Sequence, residues 1–225
     1  MKKDYVAANE MKKIFGILII VLSIFFLMKK IYPSSEKLDV KKINKLYYAR
    51  EFEKAKNELE AHIKTYPSSS QSWTYLGLVK LELNDTLGAE LAYRKGFELD
   101  KENDKAIVGL GIIERMKGNY AKARQYYENA MAINSNNPDC YASLLILEIK
   151  NKNYSKAVEL GEKARSLSLT KTRPGILGNL VIAYHLNHQI KERDNALAEL
   201  EKMDYPDIKY TKMIINNELD VDDFL

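Results

Sequence analysis

The chain has 225 residues, of which 46% are apolar and 29% charged, with 10 Gly, 5 Pro and a single Cys. This composition excludes a disordered, collagen-like or disulfide-stapled protein and leaves room for one well-packed domain or two small ones. The formal charge of +4 sits in residues 1–33, where Lys2, Lys3, Lys12, Lys13, Lys29 and Lys30 face Asp4 and Glu10. The rest is neutral, with 29 basic and 29 acidic side chains, and lacks the excess positive charge from which nucleic-acid binding starts.

Residues 1–13 form a basic head, and residues 14–28 run without a charge between the Lys12-Lys13 and Lys29-Lys30 pairs. Crossing a bilayer core takes about 20 helical residues. Lysines at both ends can snorkel, so the segment 11–32 suffices, with Tyr32 at headgroup level. Residues 14–32 are therefore read as one transmembrane anchor. A secretory signal removed on maturation is the rival reading, although Lys-Lys-Ile-Tyr-Pro-Ser-Ser-Glu after Met28 offers no small-x-small cleavage site and no lipidation Cys. A buried helix of a soluble domain is the third, although the segment shows no polar face. The lysines flanking the span are balanced, with Lys29, Lys30, Lys37, Lys41 and Lys42 following it, so the side on which the remainder lies stays open.

From there the sequence repeats every 34 residues. Ala55, Ala89, Ala123 and Ala157 mark the period, and three positions before each stands Phe52, Thr86, Tyr120 or Tyr154. The units are 36–69, 70–103, 104–137 and 138–171, with a fifth at 174–205 shifted by two residues. Each reads as two helices. Unit two carries Trp73, Leu76 and Gly77, then Ala89, Tyr93 and Gly96. Unit three carries Leu110 and Gly111, then Tyr120, Ala123, Tyr127 and Ala130. Unit four carries Tyr141, Leu144, Tyr154, Ala157 and Ala164. Unit five keeps Leu177, Leu180, Tyr184, Ile190 and Leu197 but has Arg193 in place of the alanine. Small residues belong where paired helices cross closely. The breaks at Asn84-Asp85, Gly118-Asn119 and Asn151-Lys152-Asn153 fall between them, where Gly and Asn tolerate left-handed backbone.

Beyond unit five, residues 206–217 read as a capping helix with Pro206 in its first turn. Residues 218–225 alternate acidic with apolar side chains and read as a flexible tail.

The recurring Trp-x-x-Leu-Gly, Ala-x-x-x-Tyr and small-residue positions resemble the tetratricopeptide repeat family over about residues 36–205. Only unit one keeps the family's closing proline, Pro67. The resemblance implies an all-α protein: a right-handed α-solenoid of about five helix hairpins plus a C-terminal capping helix, here preceded by the transmembrane helix. It further implies that ligands lie along the concave face of the first helices. Carried onto this chain, that partner-binding groove is Lys41, Asn44, Tyr48, Thr74, Tyr75, Leu78, Lys105, Val108, Ile112, Arg115, Ile146 and Lys150. An aliphatic residue at such a position equally packs between neighbouring first helices. Lys37, Lys41, Lys105, Arg115 and Lys150 outnumber Glu82 and Asp139, which suits other proteins or extended peptides that are apolar with acidic residues. The family's chaperone-tail clamp is absent, since Val40, Asn44, Tyr75, Lys105 and Gly109 match it at two of five positions. The chain's own tail has the favoured composition, which points to occupation of its own groove or to self-association through a neighbour's.

No Gly-rich phosphate loop, Cys pair or nucleophile elbow is present, so no enzyme, cofactor or metal is expected. His62 takes a small-residue position and reads as core or boundary. His185 and His188 read as surface or turn residues, with no third ligand near them in sequence. The triplets at Asn84 and Asn153 fit the glycosylation pattern, which two chance matches satisfy. The expected function is a membrane-anchored, non-catalytic adaptor that binds proteins or peptides in the groove. The alternative is an obligate structural subunit of a bacterial envelope or translocation complex. Similarity to bacterial inner-membrane repeat proteins suggests a single-pass location there, with a slight preference for the solenoid outside the cytoplasm.

Overall fold

Ten of the helices come in five antiparallel pairs: α1 (Val40–Tyr48) with α2 (Phe52–Thr65), α3 (Ser70–Glu82) with α4 (Thr86–Leu99), α5 (Asp104–Met116) with α6 (Tyr120–Ile133), α7 (Pro138–Lys150) with α8 (Tyr154–Ser166), and α9 (Pro174–Leu186) with α10 (Ile190–Glu201). Two shorter helices follow, α11 (Ile208–Ile215) and α12 (Val221–Phe224). The computed structural model describes residues 19, 23, 37–168, 173–203 and 205–224, among which there is no strand. The basic head and the expected anchor at 14–32 lie outside the described residues apart from positions 19 and 23. Among the described residues no helix is long and apolar enough to cross a membrane.

The helix boundaries follow from capping chemistry. Asp39, Ser69, Asp85, Asn103 and Asn137 accept from the amides of Lys42, Ser72, Gly88, Ala106 and Asp139, which satisfies first-turn N–H groups that have no intrahelical partner. Unit one opens its first helix at Val40, behind Asp39.

Each pair turns on one device. Arg50, Asn84, Gly118, Lys152 and His188 take positive φ, between 56° and 79°. The next amide then reaches back five residues: Asp85 to Lys80 O at 2.9 Å, Asn119 to Glu114 O at 2.9 Å, Asn153 to Glu148 O at 2.8 Å and Gln189 to Tyr184 O at 2.9 Å. This closes the first helix and reverses the chain.

The marker alanines Ala55, Ala89, Ala123 and Ala157 are all 0% exposed. Beside them the Tyr93 ring wedges between Gly77 of its own pair and Gly109 of the next. A Cβ on Gly109 would lie 2.3 Å from that ring and one on Gly77 2.8 Å from it. Tyr127 repeats the arrangement against Gly111, where a Cβ would meet the ring at 2.4 Å. Pairs are further tied by hydrogen bonds. Asn103 Nδ2 donates to Ser70 Oγ at 2.6 Å and Thr74 Oγ1 at 3.0 Å, and one unit later Asn137 Nδ2 donates to Asp104 Oδ2 at 2.8 Å.

In pair five the alanine position holds Arg193. Its guanidinium pairs with Asp194 at 2.7 Å and stands 3.4 Å from His185 Nδ1. Helix α11 packs on α9, with Thr211 and Ile214 buried, and Tyr205 lies against Gly175 and Gly178. Pro206 sits before the cap residue Asp207, not in the helix's first turn. Asp207 also meets Arg50 of the first hairpin turn at 3.6 Å, so the two ends of the array touch.

The tail departs from the flexible segment expected. Asn217 takes φ 57° and Glu218 N reaches back to Met213 O at 2.8 Å, the same reversing device as in the hairpins. The chain then doubles back into α12, with Leu219 and Val221 against the core and Lys150 Nζ donating to Asp222 O at 3.1 Å. Its apolar half finds an apolar surface, which a periodicity of two cannot reveal.

Candidate binding groove

First helices of successive pairs lie side by side, α3 on α5, α5 on α7 and α7 on α9, while no two second helices pack as closely. Helices crowded on one side and spread on the other make the first-helix layer the inner face. Of the residues expected there, Lys41, Tyr48 and Lys105 are exposed, and Asn44, Tyr75, Leu78, Ile112, Arg115, Ile146 and Lys150 are half-buried. Two are closed off. Thr74, 6% exposed, donates to Ser70 O and accepts from Asn103, so its hydroxyl belongs to the joint between pairs. Val108, 3% exposed, is part of the core.

Lys105 Nζ stands 5.8 Å from the centre of the Tyr75 ring, which joins units two and three by a cation–π contact. Ile112 and Ile146 lie on the core cluster built from α5 to α9 and keep one side outward. Arg115 and Ser143 flank the Tyr127 hydroxyl, whose pKa is raised by burial against the opposing pull of Arg115. At the other end Tyr47 donates to Glu82 across units one and two. Burial, and then the Glu82 charge, raise the Tyr47 pKa. Asp139 is paired with Arg173 at 2.6 Å. Asp139 is thus charge-paired and Glu82 is hydrogen-bonded with its charge kept, while Lys41 and Lys105 are exposed on the same face and Lys150 lies 3.8 Å from Asp222.

Among the described residues no catalytic constellation emerges from this arrangement. His62 Nδ1 lies 2.9 Å from Ser72 Oγ at the joint between α2 and α3, and His188 is a turn residue. His185 has its pKa lowered by burial and by the neighbouring Arg193 and His188, surroundings that repel a cation. Among the described residues no three His, Cys, Asp or Glu side chains gather as metal ligands. Burial pushes the Cys140 thiol up to about 12, which keeps it unreactive. Surface hollows of about 510 Å³ beside residues 152–156 and about 530 Å³ beside residues 118–122 occupy equivalent hairpin turns, away from the inner face.

Sequence reasoning missed two buried carboxylates, Glu114 and Glu148. Each is held by the asparagine five residues on: Asn119 Nδ2 donates to Glu114 at 2.9 Å and Asn153 Nδ2 to Glu148 at 2.8 Å. Their signal was present, since both the glutamates and the asparagines are 34 residues apart. Lys80 with Asp85 fills the same place in unit two, with the charge reversed at the first position.

Residues 114–166 match the family model described as tetratricopeptide repeat. The chain is similar in structure to a thermophilic tetratricopeptide repeat protein of Thermus thermophilus, with a TM-score of 0.64 at 16% identity over 79% of this chain and 95% of that one. It is similar to a tetratricopeptide repeat protein of Parabacteroides merdae, at 0.61 and 18% identity over 78% and 68% of the two chains. It is also similar to PilF of Pseudomonas aeruginosa, at 0.54 and 17% identity over 72% and 73%. In sequence it is 32% identical over 86 residues to the probable biofilm formation methyltransferase WspC of Pseudomonas putida, a stretch that is 38% of this chain and 20% of that protein. The chain thus spans a fifth of that curated relative. The fold is a helical solenoid of the tetratricopeptide-repeat type.

Proposed function

We propose that the protein is a membrane-anchored adaptor that binds protein or peptide segments, apolar with acidic residues, along the inner face of its first helices. The observation that carries this reading is the inner face itself: Tyr75, Leu78, Ile112 and Ile146 present half-buried apolar surface beside Lys41, Lys105, Arg115 and Lys150, while Asp139 is paired with Arg173 and Glu82 accepts from Tyr47. An apolar strip supplies burial energy, and flanking cations select for carboxylates and speed the encounter. Residues 14–32 hold the solenoid at the membrane, by the charge and length argument given above. A bacterial inner membrane with the solenoid facing outward is the location this reading prefers.

The test is site-specific photo-crosslinking of the full-length protein in its native cells, with the probe at Tyr75 or Ile112 on the inner face and at Leu91 on the outer. Adducts from the inner probes, reduced by Lys105→Glu, are expected. Adducts from Leu91 with none from Tyr75 or Ile112 sink the proposal. Alkaline carbonate extraction checks the anchor: release of the full-length chain into the supernatant refutes it.

A second reading, an obligate subunit of an envelope or translocation complex, draws on Leu87 and Leu91. They lie one turn apart on α4 and are 77% and 69% exposed. Under that reading Leu87→Glu with Leu91→Glu detaches the protein from its complex.

A further inference from the structure

We infer that residues 218–224 are an internal ligand of the groove, displaced when a partner binds. The partner segment then shares their chemistry of apolar residues alternating with carboxylates. This rests on the adaptor reading, because it names the regulation and ligand class of the same surface.

Three observations carry it. First, the contact is with a groove residue: Lys150, at the end of α7, donates to the Asp222 carbonyl at 3.1 Å and lies 3.8 Å from its carboxylate. Second, Leu219 and Val221 pack on the same core cluster as the inner-face residues Ile112 and Ile146, so the tail shares its apolar support with the strip and holds one of its cations. Third, the chain is steered there. Asn217, in left-handed conformation, reverses the direction after α11. The segment that follows forms α12, which reaches back past pair five to α7 of pair four.

The tail is also built to leave. Its anchoring ion pair has one half-exposed partner, with the Asp222 side chain 63% accessible, and α12 has only four residues, below the length that holds a helix in isolation. A segment held by a few apolar contacts and one exposed charge competes on equal terms with a partner of like composition. The partner gains further because Lys41 and Lys105, further along the face, remain exposed for additional carboxylates. Chain connectivity gives the tail a high effective concentration, so the internal ligand sets a threshold for binding rather than a block.

The experiment uses a fluorescein-labelled synthetic peptide of residues 216–225 and anisotropy titration at low salt. It compares the intact full-length chain in detergent, the same chain ending at Asn217, and the intact chain carrying Val221→Ser with Asp222→Lys, which releases the tail should the shortened chain fail to fold. The expected result is at least tenfold tighter peptide binding by the shortened or released chain than by the intact one. That gain is lost in either with Lys150→Glu, and with a peptide in which Leu219 and Val221 are serine. Equal binding by intact and released chains, or no binding by a folded released chain, overturns the inference. Photo-crosslinking from Tyr75 separates the two levels. Partner adducts that persist while the peptide result is negative leave the adaptor reading standing without its internal ligand, whereas loss of adducts from both chains removes the adaptor reading itself.

Discussion

Left-handed backbone at Arg50, Lys152 and His188 costs about 1 kcal/mol for a side chain with a Cβ, and nothing comparable for glycine. Gly118 shows that the turn accepts glycine with open space around it. Lys152→Gly is therefore expected to raise the unfolding free energy by about 0.5–1 kcal/mol, read from the urea midpoint; a lowered midpoint would mean that the Lys152 side chain matters more than its φ. The Asn and Gly residues made three of the five reversals legible, at Asn84, Gly118 and the Asn151-Lys152-Asn153 break. The other two fall at Arg50 and His188, residue types with no such preference for left-handed backbone. Glu114 supplies a second prediction. The Asn119 amide, outweighing the opposite effect of burial and aided by Lys122 and Lys117, holds its carboxyl below the ordinary value of 4.5. The unfolded chain then takes up that proton more readily than the folded one. The stabilisation is complete above pH 4.5 and drains away as the pH falls below it. Urea titrations of the wild type and Glu114→Gln should converge on going from pH 7 to pH 3; parallel curves would refute the assignment.

At the level of elements, the helix pairs are set by small residues facing large ones. Placing a methyl group on Gly109 brings it within 2.3 Å of the Tyr93 ring, which is itself only 3% exposed and has nowhere to go. Gly109→Ala should destabilise by about 1–3 kcal/mol, and the loss should be smaller in a Tyr93→Leu background, a non-additivity that a double-mutant cycle measures. Equal losses in both backgrounds would place the cost elsewhere. The pairing of α3 to α8 was readable from alanine spacing alone because close crossings admit few residue types. Pair five was harder. Arg193 occupies the alanine position only because Asp194 and His185 receive its guanidinium, a compensation with no periodic signature. The tail was misread for a related reason: an alternating acidic and apolar segment looks solvated until a surface appears against which one side of it can rest. Within the groove, Thr74 and Val108 shared their periodic positions with accessible neighbours, and only the packing of successive pairs separates those that face a ligand from those that face a helix.

Across the whole molecule, contacts run mainly between neighbouring pairs, so stability is distributed along the array and should be lowest at its ends. Helix α1 buries only Ile43, whereas α7 buries seven residues from Cys140 to Ile149. Hydrogen exchange followed by mass spectrometry is expected to show slowest exchange in α5 to α9 and fastest in α1 and α12. Uniform protection would indicate a single cooperative unit.

The Arg50–Asp207 pair gives this array an unusual mechanical character. A linear stack of helix pairs behaves as a spring with free ends, but here the first hairpin turn touches the cap of α11 through one ion pair, which acts as a clasp. The clasp is weak: both side chains are substantially exposed, at 52% and 37%, and such pairs contribute about 0–1 kcal/mol, comparable to thermal energy. It therefore opens and closes continually, and it opens further as salt rises past the point where the screening length shrinks to about 8 Å. Rising ionic strength thus loosens the contact between the first hairpin turn and the cap of α11, two residues from Tyr48 of the inner face.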